Sequence, residues 1–267
     1  MFIATLYKRL YSFTNELALR YRFINTIIRF INVGRILWLL EVLKNSPKIK
    51  DTFINWPTFI LDCFGFIRKG TLSYVSRSGV RYKIRTHTID VGVLYEVVVM
   101  KNYMVTSFAF KKGDIVIDIG SHIGSFSLLV ASLSKIVTIY AIEPQKDNFK
   151  LLCENIKMNK IKNIIPLNTA ILSTAKKINF YENKNNLAGH TFFPHDKSSF
   201  KEIKIQTTTL DALVNKFKIK TINLLKMDCE GSEYDILLNC SDNTLKKKGF
   251  RHISISQFPV SILYCSR

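Results

Sequence analysis

The sequence predicts a doubly wound, mostly parallel α/β sheet preceded by a basic helical extension. Three observations predict it. From residue 114 onward, apolar runs of strand length alternate with segments of helical period. Acids close the runs, at Asp118, Glu143 and Asp228. In VIDIGSHIGSFSLLV, residues 116–130, the first run turns through Gly120 and Gly124 into an apolar helix, the punctuation of a ligand-binding strand-to-helix turn. Residues 1–68 are set off as the extension and 69–267 as the α/β domain.

In chain order, the extension comes first. Residues 1–50 carry many cations, Arg20, Arg22, Arg29 and Arg35 among them, against Glu16 and Glu41 only. Ile24, Ile27, Ile28 and Ile31, then Ile36, Leu39, Leu40 and Leu43, recur at helical spacing with a break at Gly34. Such an apolar stripe flanked by cations can lie on an anionic membrane surface, or dock on the catalytic domain or a second subunit, and docking is the preferred reading. Next, NWPTFILDCFG (55–65) has Pro57 near a helix start and Gly65 near its end. GTLSYVSRSGVRYKIRT (70–86) reads as a hairpin around Ser78-Gly79, and a helix is expected over Val91–Met100. Strands are then expected at 114–118, 137–143, 163–168, 222–228 and 251–256, with helices at about 124–133, 146–159 and 232–239. A second hairpin, 176–181 with 201–210, encloses a polar loop containing His190 and His195, read as surface histidines.

A chain of 267 residues, 47% hydrophobic, can bury one large core. Its net charge of +19 admits nucleic acid, an anionic membrane or an acidic substrate as partners, although a lysine-rich genome would give the same excess. Cys63, Cys153, Cys229, Cys240 and Cys265 form no C-x-x-C pair, so they read as core thiols in a reducing compartment, with no zinc site or other metal. No secretory leader and no membrane-spanning apolar run is evident. The expected location is cytoplasmic, with attachment at the inner face of the membrane should the basic helix meet lipid.

In an open parallel sheet the ligand lies beyond the carboxyl ends of the strands. Glu143 follows Asp118 by 25 residues, near the spacing at which an acid meets a ribose diol. The turn is D-x-G-x-x-x-G with Ser121 and His122 between the glycines, not the G-x-G-x-x-G that a pyrophosphate needs. Asp118 suits a cationic amino-acid end better than a phosphate, which it would repel. A ribose, an adenine and a zwitterionic tail without phosphate describe S-adenosylmethionine. Further on, NLLKMDCEGSEYDIL (223–237) gathers Asp228, Glu230 and Glu233 around Gly231. Glu233 suits the first turn of a helix, whereas Asp228 and Glu230 stand nearer a pocket.

These residues resemble the FkbM-type S-adenosylmethionine-dependent methyltransferases. The resemblance runs from about 82 to 256 through YKIRTHTIDVGVLYEVVVMKNY, VIDIGSHIGSFSLL, AIEPQKDNFKLLCENIKMN, LNTAIL, TTTLDAL and LLKMDCEGSEYDIL. It implies a Rossmann-like class I methyltransferase sheet and methyl transfer to an oxygen nucleophile, a hydroxyl of a small molecule, glycan or lipid-linked sugar. The methionine end would lie at Asp118, Gly120, Ser121, His122 and Gly124. Glu143, beside Pro144, would hold the ribose, Thr169 and Ala170 would flank the adenine, and Glu96 and Tyr103 would close the pocket. An activated sulfonium donor leaves the enzyme to align the acceptor and remove its proton. Glu230 is the first candidate base, Asp228 the second and His122 the third, unless His122 offers only its backbone N–H.

One departure is visible. The family commonly ends its sheet with an antiparallel hairpin after an I-x-I-E-x-H run, but here the run is HISISQF (252–258), with Ser256 in place of the acid and nine residues following. The expectation is a sheet lacking its final antiparallel strands, as a truncated or frameshifted product would. The alternatives to an O-methyltransferase are a catalytically impaired S-adenosylmethionine-binding protein and an RNA methyltransferase. RNA lacks support because no basic stripe interleaves with aromatics, DNA is not an expected partner, and a nicotinamide oxidoreductase would want the third glycine.

Overall fold

The computed structural model describes residues 33–67, 70–103, 105, 108–183, 200–229, 232–241, 244 and 252–255. The chain divides into two compact units, residues 1–47 and 48–267. In the first, helix α1 (Val33–Lys44) leaves Ile36, Leu40 and Leu43 exposed, so the apolar stripe expected there is present on its surface. The part of that stripe before residue 33 lies outside the described residues. No described helix is long and apolar enough to cross a membrane.

The second unit begins with α2 (Ser46–Thr52, from Lys48) and α3 (Trp56–Cys63), which has Pro57 in its first turn and Gly65 just beyond its end at φ 77°. Strands β1 (Thr71–Val75) and β2 (Arg81–Arg85) form the expected antiparallel hairpin. Its Tyr74 packs into an aromatic cluster with residues of the preceding segment: Phe53 stacks on Phe59 at 4.9 Å, and Phe59 meets Tyr74 edge-on at 4.9 Å. Such ring pairs add roughly 0.5–1.5 kcal/mol beyond burial.

The helix expected over 91–100 is instead a short α-turn, α4 (Asp90–Leu94), continuing into a π-helical turn, Tyr95–Val99. Tyr95, Val97, Val98 and Val99 are all buried, more than one face of an α-helix could cover, and the β-branched run crowds a tight turn.

The main sheet comprises β3 (Ile115–Ile119), β4 (Thr138–Ile142), β5 (Ile164–Leu167), β9 (Leu224–Met227) and β10 (His252–Ile255). The order is β10-β9-β3-β4-β5, every neighbour parallel. The order therefore reverses between β3 and β9, which puts the ligand crevice at their carboxyl ends. Helices α5 (Ser125–Leu133) and α6 (Lys146–Met158) follow β3 and β4. On the other face Ile117, Tyr140, Ile142, Leu225 and Met227 share a core with Leu213 and Val214 of α7 (Leu210–Lys216) and Ile236 of α8 (Glu233–Leu238). Both faces are covered, as the near-continuous apolar strands require.

A side sheet joins β6 (Ala170–Ile171), β8 (Phe200–Thr208) and β7 (Lys177–Asn183) in that order, with β7 and β8 antiparallel as the second hairpin expected. Sequence reading took 207–213 as a motif without seeing α7, whose Thr209 caps it by accepting from the Ala212 N–H at 3.0 Å. The loop with His190 and His195, and the segment after residue 255 on which the missing-strand expectation falls, lie outside the described residues.

Candidate functional site

The turn after β3 is shaped by glycine. Gly120 has φ 74°, and a Cβ there would stand 1.8 Å from the Asp228 carbonyl oxygen, so the turn lies directly against the end of β9. Gly124, at φ 88°, starts α5, and a Cβ would meet Leu152 of α6 at 2.5 Å. The Gly120 and Ser121 N–H groups both donate to the Ile142 carbonyl, at 3.0 and 2.9 Å, which ties the turn to β4. His122 adopts φ 50° without being glycine. Such a conformation costs free energy and persists only where its surroundings hold it.

Those surroundings hold it at both ends. The His122 N–H donates to Glu143 Oε2 at 2.9 Å, while the ring's Nε2 lies 3.4 Å from Asp90 Oδ1 and 3.5 Å from Arg85 Nη2. Arg85 in turn grips Asp90 with two donors, at 2.9 and 2.8 Å, and reaches Asn148 Oδ1 at 2.7 Å. Burial works against the Asp90 carboxylate, but the Arg85 hydrogen bonds and the charges of His122 and Arg85 outweigh it and hold its pKa below the ordinary value. Buried Asn155 on α6 accepts from the Lys83 N–H and donates to the carbonyls of Lys83 and Ile123, fastening the hairpin to the same turn.

Glu143, at the end of β4, is 5% exposed and accepts from three donors: the N–H groups of His122 and Gln145, each at 2.9 Å, and Asn148 Nδ2 at 3.4 Å. A carboxylate accepts about four hydrogen bonds, so capacity remains for a ligand hydroxyl. Burial pushes its pKa up to about 7 despite those donors. Asn168 Nδ2 donates to the carbonyls of Glu143 (2.9 Å) and Pro144 (3.1 Å), bringing Thr169 and Ala170 beside them. The Thr169 hydroxyl donates to Gln206 O at 3.1 Å.

At the carboxyl ends of β3 and β9 sits a residue that the sequence motifs did not single out. Lys226, 3% exposed, pairs in register with Asp118 across β9 and β3. Its Nζ lies 3.1 Å from Asp118 Oδ1, donates to the Gly120 carbonyl at 2.6 Å and stands 3.9 Å from Asp228 Oδ2. Burial alone would lower the Lys226 pKa; Asp118, Tyr103 and Asp228 reverse this and raise it, so the ammonium is the stable form. Asp118 also accepts from the Ser127 hydroxyl at 2.6 Å, and Asp228 from the Tyr103 hydroxyl at 2.8 Å. Tyr103 packs edge-on against Phe126 at 5.4 Å, and burial raises its phenol. Asp118 and Asp228, which close adjacent strands, are thus bridged by a cation. The signal was a lone lysine inside the otherwise apolar run LLKM (224–227).

The structure therefore brings Asp118, Gly120, Lys226, Asp228 and Tyr103 into one contact network, with Ser121, His122 and Gly124 in the turn beside it and Glu143 reaching that turn from the end of β4. Glu96 is exposed on the π-helical turn, which packs near α5. Glu233 is buried and accepts from the Cys229 N–H at 2.7 Å, a structural task at the start of α8. Glu230 lies outside the described residues. A nucleoside with a zwitterionic tail fits what is present. The Ser121 and Ser125 hydroxyls are buried at the turn with no hydrogen-bond partner among the described residues, and Glu143 keeps acceptor capacity. No group of His, Cys, Asp and Glu suited to a metal ion occurs among the described residues.

The sequence model of the methyltransferase FkbM domain matches residues 118–262, which contain this network apart from Tyr103 and the Arg85–Asp90 pair. A tRNA(Phe) (4-demethylwyosine(37)-C(7)) aminocarboxypropyltransferase of Methanocaldococcus jannaschii is 39% identical over 61 residues, 23% of this chain and 24% of the relative. The hexuronic acid methyltransferase AglP of Haloferax volcanii is 27% identical over 145 residues, 54% of this chain and 57% of AglP. The chain thus covers less than two thirds of the length of either relative. Among solved structures, TYW2 of P. horikoshii in complex with MeSAdo is 26% identical, with a TM-score of 0.33, covering 39% of this chain and 37% of that one.

Proposed function

The chain belongs to the FkbM methyltransferase family, and from that premise we propose that it is an S-adenosylmethionine-dependent O-methyltransferase acting on a hydroxyl of a glycan, lipid-linked sugar or small molecule. The observation that carries the reading is Glu143: a buried carboxylate at the second strand end, held by three donors with acceptor capacity left, beside a glycine turn that lacks the G-x-G-x-x-G pattern of a pyrophosphate site. Glu143 would bind the ribose hydroxyls. Asp118, Ser121 and Ser125 would face the methionine end, with Gly120, His122 and Gly124 giving the turn its course; Pro144, Thr169 and Ala170 would border the base, and Glu96 and Tyr103 the entrance. The cofactor supplies an electrophilic methyl group.

The protein's own task is then alignment and proton removal. Asp228 sits at the strand end with its side chain 34% exposed, oriented by Tyr103 and Lys226, and would accept the proton of the acceptor hydroxyl at a carboxylate oxygen. Glu230, two residues further along the sequence, shares that assignment. The sugar reading is favoured over RNA by the match to a hexuronic acid methyltransferase across 54% of the chain. The test is methyl transfer from radiolabelled S-adenosylmethionine to uronic acids and other hydroxylated saccharides, beside unmodified tRNA. Labelled saccharide supports the reading. Label in tRNA alone replaces it with RNA modification, and tight S-adenosylhomocysteine binding without any transfer replaces it with a non-catalytic binder.

A further inference from the structure

We propose that the edge of the main sheet opposite the cofactor crevice is a docking surface for an anionic lipid bilayer. The loops entering β9, β3, β4 and β5 lie side by side along this edge. The Gly113 N–H donates to the Ile136 carbonyl, Asn163 Nδ2 to the carbonyls of Ser134 and Val137, and the Asn223 N–H to the Ile115 carbonyl. Lys218 and Lys220 precede β9, Lys111 and Lys112 precede β3, Lys135 precedes β4 and Lys162 precedes β5, and all six are exposed. The single acid in segments 108–114, 134–137, 159–163 and 217–223 is Asp114, which is buried and accepts from the Lys111 N–H at 2.8 Å. In the middle of this cationic row Leu133 and Ile136 are 45% and 54% exposed.

A compositional excess of lysine would scatter cations over both ends of the sheet. Instead, among the described residues, the carboxyl ends carry Asp118, Glu143 and Asp228, with exposed Lys146 beyond β4, while the loops at the amino ends of β9, β3, β4 and β5 carry the six exposed lysines named above and no exposed carboxylate. Two apolar side chains within a row of ammonium groups match a bilayer, whose headgroups attract the cations and whose acyl boundary accepts Leu133 and Ile136. RNA would call for guanidinium forks and open aromatic faces. The rings nearest this edge, Phe108, Phe110 and Phe217, are only half-exposed, Phe108 against Phe110 and Phe217 against Tyr140. This surface belongs to the second unit and does not depend on the methyltransferase reading.

The test is co-sedimentation of the full chain with vesicles of phosphatidylcholine alone or with about 30% phosphatidylserine, at low and high salt. Binding is expected only with phosphatidylserine and should weaken with salt. Lys112→Glu with Lys135→Glu and Lys162→Glu should lower partitioning on the order of a hundredfold, since each lysine near an anionic surface contributes roughly fivefold and reversal adds repulsion. Leu133→Ser with Ile136→Ser should lower it on the order of tenfold at either salt. Lys176→Glu with Lys177→Glu, on β7 and its approach, should change it little. The proposal is overturned if the triple variant binds like the parent, which would move the contact to another surface such as α1. It is equally overturned if the parent ignores phosphatidylserine vesicles, or binds RNA but not vesicles.

Discussion

The two ends of the five-stranded sheet treat charge in opposite ways. At the carboxyl end, charged groups are buried and matched: Lys226 against Asp118 and Asp228, Arg85 against Asp90, Glu143 against three donors. At the amino end the six lysines named above are exposed, and the acid among them, Asp114, is buried. Buried pairs fix geometry, because breaking one leaves an uncompensated charge in a poor dielectric. Exposed lysines fix nothing locally, and act through their summed field on whatever approaches.

Breaking the buried end should give the largest effects. Lys226→Met strands two carboxylates and frees the Gly120 carbonyl, so the expected loss is about 3–5 kcal/mol of stability, read as a fall of roughly 10 °C in the melting temperature. Gly120→Val drives a side chain into the Asp228 carbonyl and should abolish S-adenosylhomocysteine binding by calorimetry. Glu143→Ala comes next. It should cost about 1–3 kcal/mol of binding, a tenfold to hundredfold weaker Kd, with the folded state retained in circular dichroism. Retained affinity in that variant would remove Glu143 from the site.

A smaller effect sharpens the comparison by pH. The Glu143 pKa is raised to about 7 by burial, and ligand hydroxyls donate best to its ionised form. Affinity for S-adenosylhomocysteine should therefore rise with pH through about 7 and level above it, and Glu143→Gln should flatten that profile. The stability linkage has the opposite sign: with the folded pKa above the unfolded one, the protonated form stabilises the fold fully below about 4.5, and that contribution is lost as pH rises through about 7. Smallest of all, Lys112→Glu with Lys135→Glu should shift the melting temperature by no more than a degree or two, since exposed lysines are worth within about 0.5 kcal/mol each. The same pair should leave S-adenosylhomocysteine affinity unchanged.

What could be read from the sequence was local. Asp118 and Glu143 announce themselves because each closes an apolar run, and Gly120 and Gly124 because two glycines interrupt a strand-to-helix passage. Strand bounds came within two residues for the same reason: 114–118 expected, Ile115–Ile119 found. What stayed hidden was long-range. Lys226 has its role only because β9 pairs with β3, and Arg85 only because a hairpin outside the sheet folds onto α6. Helix α7 escaped because seven residues carry two turns of period, and β6 because two residues carry none.

The contact between Gly120 and the Asp228 carbonyl also bears on when the molecule becomes able to bind. The two sides are separated by more than a hundred residues, so the turn gains its wall only when the later strand arrives. Non-local pairing of this kind forms late, after the adjacent strands and helices have condensed. A nascent chain stopped short of Leu224 would hold every residue of the turn and lack the neighbour that shapes it. Competence for the nucleoside therefore waits on the pairing of β9 with β3, and a bound ligand would report that this long connection has closed.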